Sequence, residues 1–122
     1  MAKRVLLADD EIDSVVLVQE RLKGAGYEVV TACTGEEVLE KVREALPNLI
    51  LLDVVMPGMN GYRVCRRLKD DPLTKGIPVI LFTALQKNDL LQTAQASGAD
   101  MVISKPFEAE ELLRIIRQFL KE

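Results

Sequence analysis

The chain has 122 residues, with 16 Lys+Arg against 19 Asp+Glu (net charge −3), 48% hydrophobic residues, two cysteines and no histidine or tryptophan. That length closes one compact domain with a real core, and the missing histidine excludes Ser-His-Asp or Cys-His catalysis and His-ligated zinc within it. Interspersed charges with a slight acidic excess argue against binding to nucleic acid or an anionic membrane, since phosphate-backbone affinity needs clustered Lys and Arg.

Taken in chain order, the first apolar run is Val5-Leu6-Leu7-Ala8, a strand. Ile12, Val15, Val16 and Leu22 then mark a helical stripe that Gly24 and Gly26 stop. Tyr27 to Thr31 reads as an edge strand because Glu28 interrupts it. Thr34-Gly35-Glu36-Glu37 has capping-box spacing and opens a second helix, with Val38, Val42 and Leu46 on one face and Pro47 as its end. Leu49-Ile50-Leu51-Leu52 is the third strand, followed by a helix carrying Val64 and Leu68 that Asp71-Pro72 closes. Val79-Ile80-Leu81-Phe82 is the fourth strand. A weakly amphipathic stretch from Asn88 to Ser97, ended by Gly98, is the next helix. Met101-Val102-Ile103 makes the last strand, and Leu112, Ile115, Ile116 and Phe119 give the last helix its i, i+3, i+4, i+7 stripe.

Continuous apolar runs of this length suit strands covered on both faces. Strand and helix alternate five times, so the expected class is α/β: one domain over residues 1–122, a doubly wound parallel sheet with helices on both faces. Cys33 and Cys65 form no CxxC pair and read as reduced, partly buried small hydrophobes. The N-terminus carries only four apolar residues before two acids, too few for a signal peptide or membrane span, which makes the cytosol the default compartment.

In an open α/β sheet, chemistry gathers beyond the carboxyl ends of the strands, beside the point where strand order reverses. One residue past the apolar runs stand Asp9-Asp10, Asp53 and Thr83, with Lys105 after Ser104. Singly, each has a dull explanation: Asp9 and Asp10 as partners for a helix N-terminus, Asp53 as a turn-former before Met56-Pro57-Gly58. Their joint placement on one rim has none. Two carboxylates about 4 Å apart repel by roughly 4 kcal/mol at an effective dielectric near 20. A hard divalent cation offsets that charge, and Mg²⁺, which keeps several waters, suits a half-open carboxylate rim. Carboxylate, Mg²⁺, ammonium and hydroxyl are the parts for phosphoryl transfer to an aspartate. The nucleophile belongs on the central strand, which favours Asp53.

These residues carry a resemblance over essentially the whole chain. Leu6-Leu7-Ala8-Asp9-Asp10-Glu11, Leu51 to Gly61 around Asp53, Phe82-Thr83-Ala84 and Lys105-Pro106-Phe107 together resemble the response-regulator receiver domain, the CheY-like phosphoacceptor module of two-component signalling. The resemblance implies a flavodoxin-like (βα)₅ fold with strand order 2-1-3-4-5. It implies Asp53 as phosphoacceptor and Mg²⁺ held by Asp10, Asp53 and the Val55 carbonyl, with Asp9 helping. It also gives Thr83 and Lys105 as partners of the phosphoryl oxygens, a small Ala84, and a cis Lys105-Pro106 bond. The position three residues before the lysine, often aromatic in the family, is Val102, which argues against a ring-flip switch. Val55 and Leu85 stand where family members tune water access, and apolar side chains there are expected to slow hydrolysis.

A flavodoxin-type cofactor binder would need small and hydroxyl residues where Asp9-Asp10-Glu11 stand, and a haloacid-dehalogenase-type phosphatase would need an acid in place of Val55. The alternative from another class is a phosphate-independent interaction module on the same scaffold. The phosphoacceptor reading expects a histidine kinase or phosphotransfer protein as donor, an unidentified downstream protein target, and a non-enzymatic chain with at most slow self-dephosphorylation. It leaves room for a phosphorylation-dependent dimer. No DNA-binding or effector element follows the last helix in this sequence, so a stand-alone receiver is expected, with a receiver cut from a larger regulator as the alternative.

Overall fold

The computed structural model describes residues 3–83, 97–105 and 107–121. In chain order it runs β1 (Arg4–Ala8), α1 (Ile12–Gly24), β2 (Glu28–Ala32), α2 (Gly35–Ala45), β3 (Leu49–Asp53), α3 (Gly61–Asp70), β4 (Val79–Thr83), β5 (Met101–Ser104) and α4 (Ala109–Leu120). The five strands are parallel in the order β2-β1-β3-β4-β5, as expected, with β2 at one edge. The expected helix from Asn88 lies outside the described residues except at Ser97, which is helical and buried.

Successive strand side chains point to opposite faces, and the sheet separates two cores accordingly. Leu6, Ala8, Ile50, Leu52 and Leu81 pack with Val38 and Val42 of α2 and Val64, Cys65 and Leu68 of α3. Val5, Leu7, Leu49, Leu51, Ile80 and Phe82 pack with Leu22 of α1 and Leu112, Leu113, Ile115 and Ile116 of α4. β3 is buried along its whole length, which explains why its sequence is a pure apolar run up to the terminal acid.

Two helices differ in detail from the expected stripes. In α1 the inward residues are Val15, Val18 and Leu22, while Ile12 and Val16 are exposed. The strong i, i+4 pairing of two β-branched apolar residues on that helix marks its outer flank. In α2 the stripe stops at Val42: Leu46 is a left-handed cap at φ 43°, turned to solvent. The proline that follows disfavours helical geometry at Leu46, so the helix ends one residue before the pattern does. The cap at the other end forms as read. Thr34 Oγ1 accepts from the Glu37 amide at 3.1 Å and Glu37 Oε1 accepts from the Cys33 amide at 2.7 Å. Cys65 is buried and Cys33 exposed; both are free thiols.

Candidate phosphoacceptor and metal site

Strand order reverses between β1 and β3, because β2 lies on one side of β1 and β3 on the other. Asp53 is the last residue of β3 and Asp9 the first after β1, so both acids stand at the mouth of that crevice. Both side chains are almost fully buried, at 4% and 1% exposure, whereas Asp10 beside them is exposed. Ligand oxygens of Asp9, Asp10 and Asp53 lie within 4.8 Å of one another.

Lys105 closes the cluster from the far side. Its ammonium donates to Asp9 Oδ2 at 3.0 Å and to Asp53 Oδ2 at 3.0 Å. The other oxygen of each carboxylate is used locally: Asp9 Oδ1 accepts from the Glu11 amide at 3.0 Å and Asp53 Oδ1 from the Val55 amide at 3.1 Å. The turn-forming role and the site role of these aspartates therefore coexist, one on each oxygen.

The environment separates the two acids electrically. Burial pushes the Asp53 carboxyl up to about 6, with the negative charge of Asp9 adding to the rise and the Lys105 and Val55 hydrogen bonds holding it back. Burial acts on Asp9 in the same sense, yet the Glu11 amide and Lys105 outweigh it, and its carboxyl lies below the usual range. For Lys105 burial is overcome by its hydrogen bonds to Asp9 and Asp53, which hold the ammonium above its ordinary value. Two buried acids facing one ammonium leave negative charge uncompensated, and exposed Asp10 adds to it. An all-oxygen donor set with excess negative charge, in a chain without histidine, fits a hard divalent cation better than a soft one.

Val55 lies two residues beyond the end of β3 and its side chain is exposed. Thr83 ends β4, with its backbone in register with Ser104. The expectations for the Thr83 hydroxyl, for Ala84 and Leu85, and for the Lys105-Pro106 bond fall outside the described residues. Val102 is half-buried and packs against the core on the α2 and α3 side.

Two supporting features went unread in the sequence. The Phe82 ring lies under the Lys105 ammonium, 4.9 Å from nitrogen to centroid, and Phe107 meets that ring edge-on. Gly61 is the second: its amide donates to the Val54 carbonyl at 2.8 Å. A Cβ there would stand 2.7 Å from Val54 Cα and closer still to the Asp53 carbonyl oxygen. The local signal was present, since Asn60 caps α3 by accepting from the Arg63 amide at 3.0 Å. Nothing in the sequence said what α3 starts against.

Residues 5–117 match the profile of the response regulator receiver domain. Response regulator PleD of Caulobacter vibrioides is 43% identical over 122 residues, covering 99% of this chain and 27% of PleD. Chemotaxis response regulator CheY4 of Vibrio cholerae superposes with a TM-score of 0.91 at 33% identity, covering 98% of this chain and 99% of that one. A CheY-like receiver domain protein from Methanospirillum hungatei JF-1 superposes at 0.92 with 30% identity, covering 99% and 95%. The chain spans about a quarter to about half of the length of the curated relatives it matches.

Proposed function

This chain belongs to the response regulator receiver domain family of two-component systems, and on that premise we propose that it accepts a phosphoryl group on Asp53 from a phosphohistidine of a kinase or phosphotransfer protein. The observation that carries the reading is the Lys105 ammonium 3.0 Å from both Asp9 and Asp53, at the strand-order reversal of a parallel sheet. An Asp53 oxygen attacks phosphorus as the phosphorus–nitrogen bond to the donor imidazole breaks. The electron pair stays on that nitrogen, and an acyl phosphate remains on Asp53. Lys105 is placed to leave its carboxylate partners and pair with the phosphoryl oxygens, where charge develops. Thr83, at the end of β4, is the hydroxyl partner on this reading.

Asp9, Asp10, Asp53 and the Val55 carbonyl would hold Mg²⁺, which when bound neutralises phosphoryl charge and helps orient the group in line. Asp53 is ionised for attack above pH 6, so its raised carboxyl costs little reactivity at neutral pH. The chain's own turnover is limited to hydrolysis of its acyl phosphate, and output passes through contacts with a downstream protein or a second phosphorylated copy. Cytosolic operation beside the kinase domain belongs to the same reading. No described helix is long and apolar enough to cross a membrane.

Incubation with acetyl phosphate and Mg²⁺ followed by intact mass spectrometry tests this. One phosphoryl adduct is expected on the wild type, lost with EDTA and absent in Asp53→Asn. No adduct, or one that persists in Asp53→Asn, would favour a phosphate-independent interaction module instead.

A further inference from the structure

Lys105 follows β5, yet the carboxylates it meets stand at the ends of β3 and β1, two and three strands away. Neighbouring strands lie about 4.8 Å apart, so the side chain must cross the full width of β4 before its ammonium reaches Asp53. The β4 residue at that level is Phe82, in register with Asp53 on one side and Ile103 on the other. Lys105 lies two residues beyond Ile103 and continues the alternation on the same face.

The floor it crosses is an aromatic face. The ammonium is 4.9 Å from the Phe82 ring centroid, and the ring is 2% exposed. Phe107 fixes that ring from the side, with centroids 5.8 Å apart and planes at 78°. A ring carries negative charge on its face and positive charge at its edge, so the edge contact and the ammonium over the face are both favoured arrangements. A leucine at 82 would fill the space without offering that face. Among the described residues, Lys105 would then be held by the carboxylates, the same groups that the incoming phosphoryl group and cation engage.

We infer that Phe82, braced by Phe107, is a positioning residue: its ring face holds the Lys105 ammonium at the height from which it meets Asp9 and Asp53. The geometry stands independently, and its consequence for phosphoryl transfer rests on the phosphoacceptor reading above. The ring also keeps Lys105 over the site once the carboxylates exchange it for other partners.

The test compares wild type, Phe82→Leu, Phe107→Leu, Lys105→Met and the Phe82→Leu/Lys105→Met pair. In the unphosphorylated wild type the Lys105 ε-methylene resonances should lie upfield through the ring current of Phe82, move to ordinary positions in Phe82→Leu and shift part of the way in Phe107→Leu. The rate of acyl phosphate formation from acetyl phosphate should fall about 3- to 30-fold in Phe82→Leu, and by no further factor when that substitution is added to Lys105→Met. A merely structural role predicts the same loss in both backgrounds, and that result would overturn the assignment. So would ordinary ε-methylene shifts in the wild type. If Phe82→Leu fails to fold, the wild-type shift and Phe107→Leu decide the question by the same readings. If the wild type forms no adduct at all, the phosphoacceptor reading fails while the resonance measurement still judges the brace.

Discussion

Asp53 and Asp9 are the same residue type, almost equally buried and bound to the same ammonium, yet their carboxyls move in opposite directions. A raised folded-state value means that the native protein holds the Asp53 proton more tightly than the unfolded chain. The stability this contributes is full below about pH 4 and lost as pH rises through about 6. In the metal-free protein, Asp53→Asn is therefore expected to be more stable than wild type at pH 8, by about 1–2 kcal/mol, with the gap closing at pH 4. Urea unfolding in EDTA at the two pH values measures this, and a gap independent of pH would contradict it. Asp9 has the reverse sign, its stability being present above the ordinary value of 3.8 and lost on acidification. The two thiols offer a second contrast. Burial pushes the Cys65 thiol up and removes it from solvent, while Cys33 is exposed. Iodoacetamide on the native protein should label Cys33 and spare Cys65, with both labelled after denaturation. Equal labelling in the native state would show that α3 opens freely.

At the scale of elements, the way α3 meets β3 is more demanding than its sequence suggests. Gly61 brings the helix start against the backbone of Asp53 and Val54, with no room for a Cβ. Gly61→Ala should destabilise the protein by about 1–3 kcal/mol and slow acyl phosphate formation by displacing the end of β3. Gly24→Ala is the control: it ends α1, has nothing within 4 Å of an added Cβ, and should be neutral or slightly stabilising. Thermal unfolding of the two variants checks the contrast, and similar midpoints would refute it. Strands β1, β3 and β4, the Thr34 cap and the α4 stripe were all legible in the sequence, because a run buried on both faces and a helix buried on one leave different periodicities. The stripes of α1 and α2 were misread at Ile12, Val16 and Leu46. Residue spacing alone does not say which apolar flank of a helix meets the sheet, nor that a proline will turn its neighbour outward.

The whole molecule gathers acids from two strand ends and an amine from a third, and a bound divalent cation would tie those ends together only in the folded chain. Mg²⁺ at about 100 times its dissociation constant should add roughly 2.7 kcal/mol to the unfolding free energy. Asp10 is exposed but adds negative charge beside Asp9 and Asp53, so Asp10→Asn should leave metal-free stability unchanged or slightly raised while removing most of the Mg²⁺ effect. Denaturant titrations with Mg²⁺, and with Na⁺ at matched ionic strength, separate specific binding from screening. An undiminished Mg²⁺ shift in Asp10→Asn would place the cation elsewhere.

By itself the sequence determined the class of fold, the strand order through its resemblance, and which carboxylates and which lysine stand together at the carboxyl ends of the strands. Five strand-like runs that alternate with helices mark a parallel sheet, and two of those runs end in acids. Only the tertiary structure decided how that site is held. Lys105 bridges Asp9 and Asp53, each acid spends its other oxygen on a turn, Phe82 lies beneath the ammonium, and Gly61 admits α3 to the end of β3. These relations join residues from across the chain, and only the packing of one strand beside another fixes the distances on which they depend.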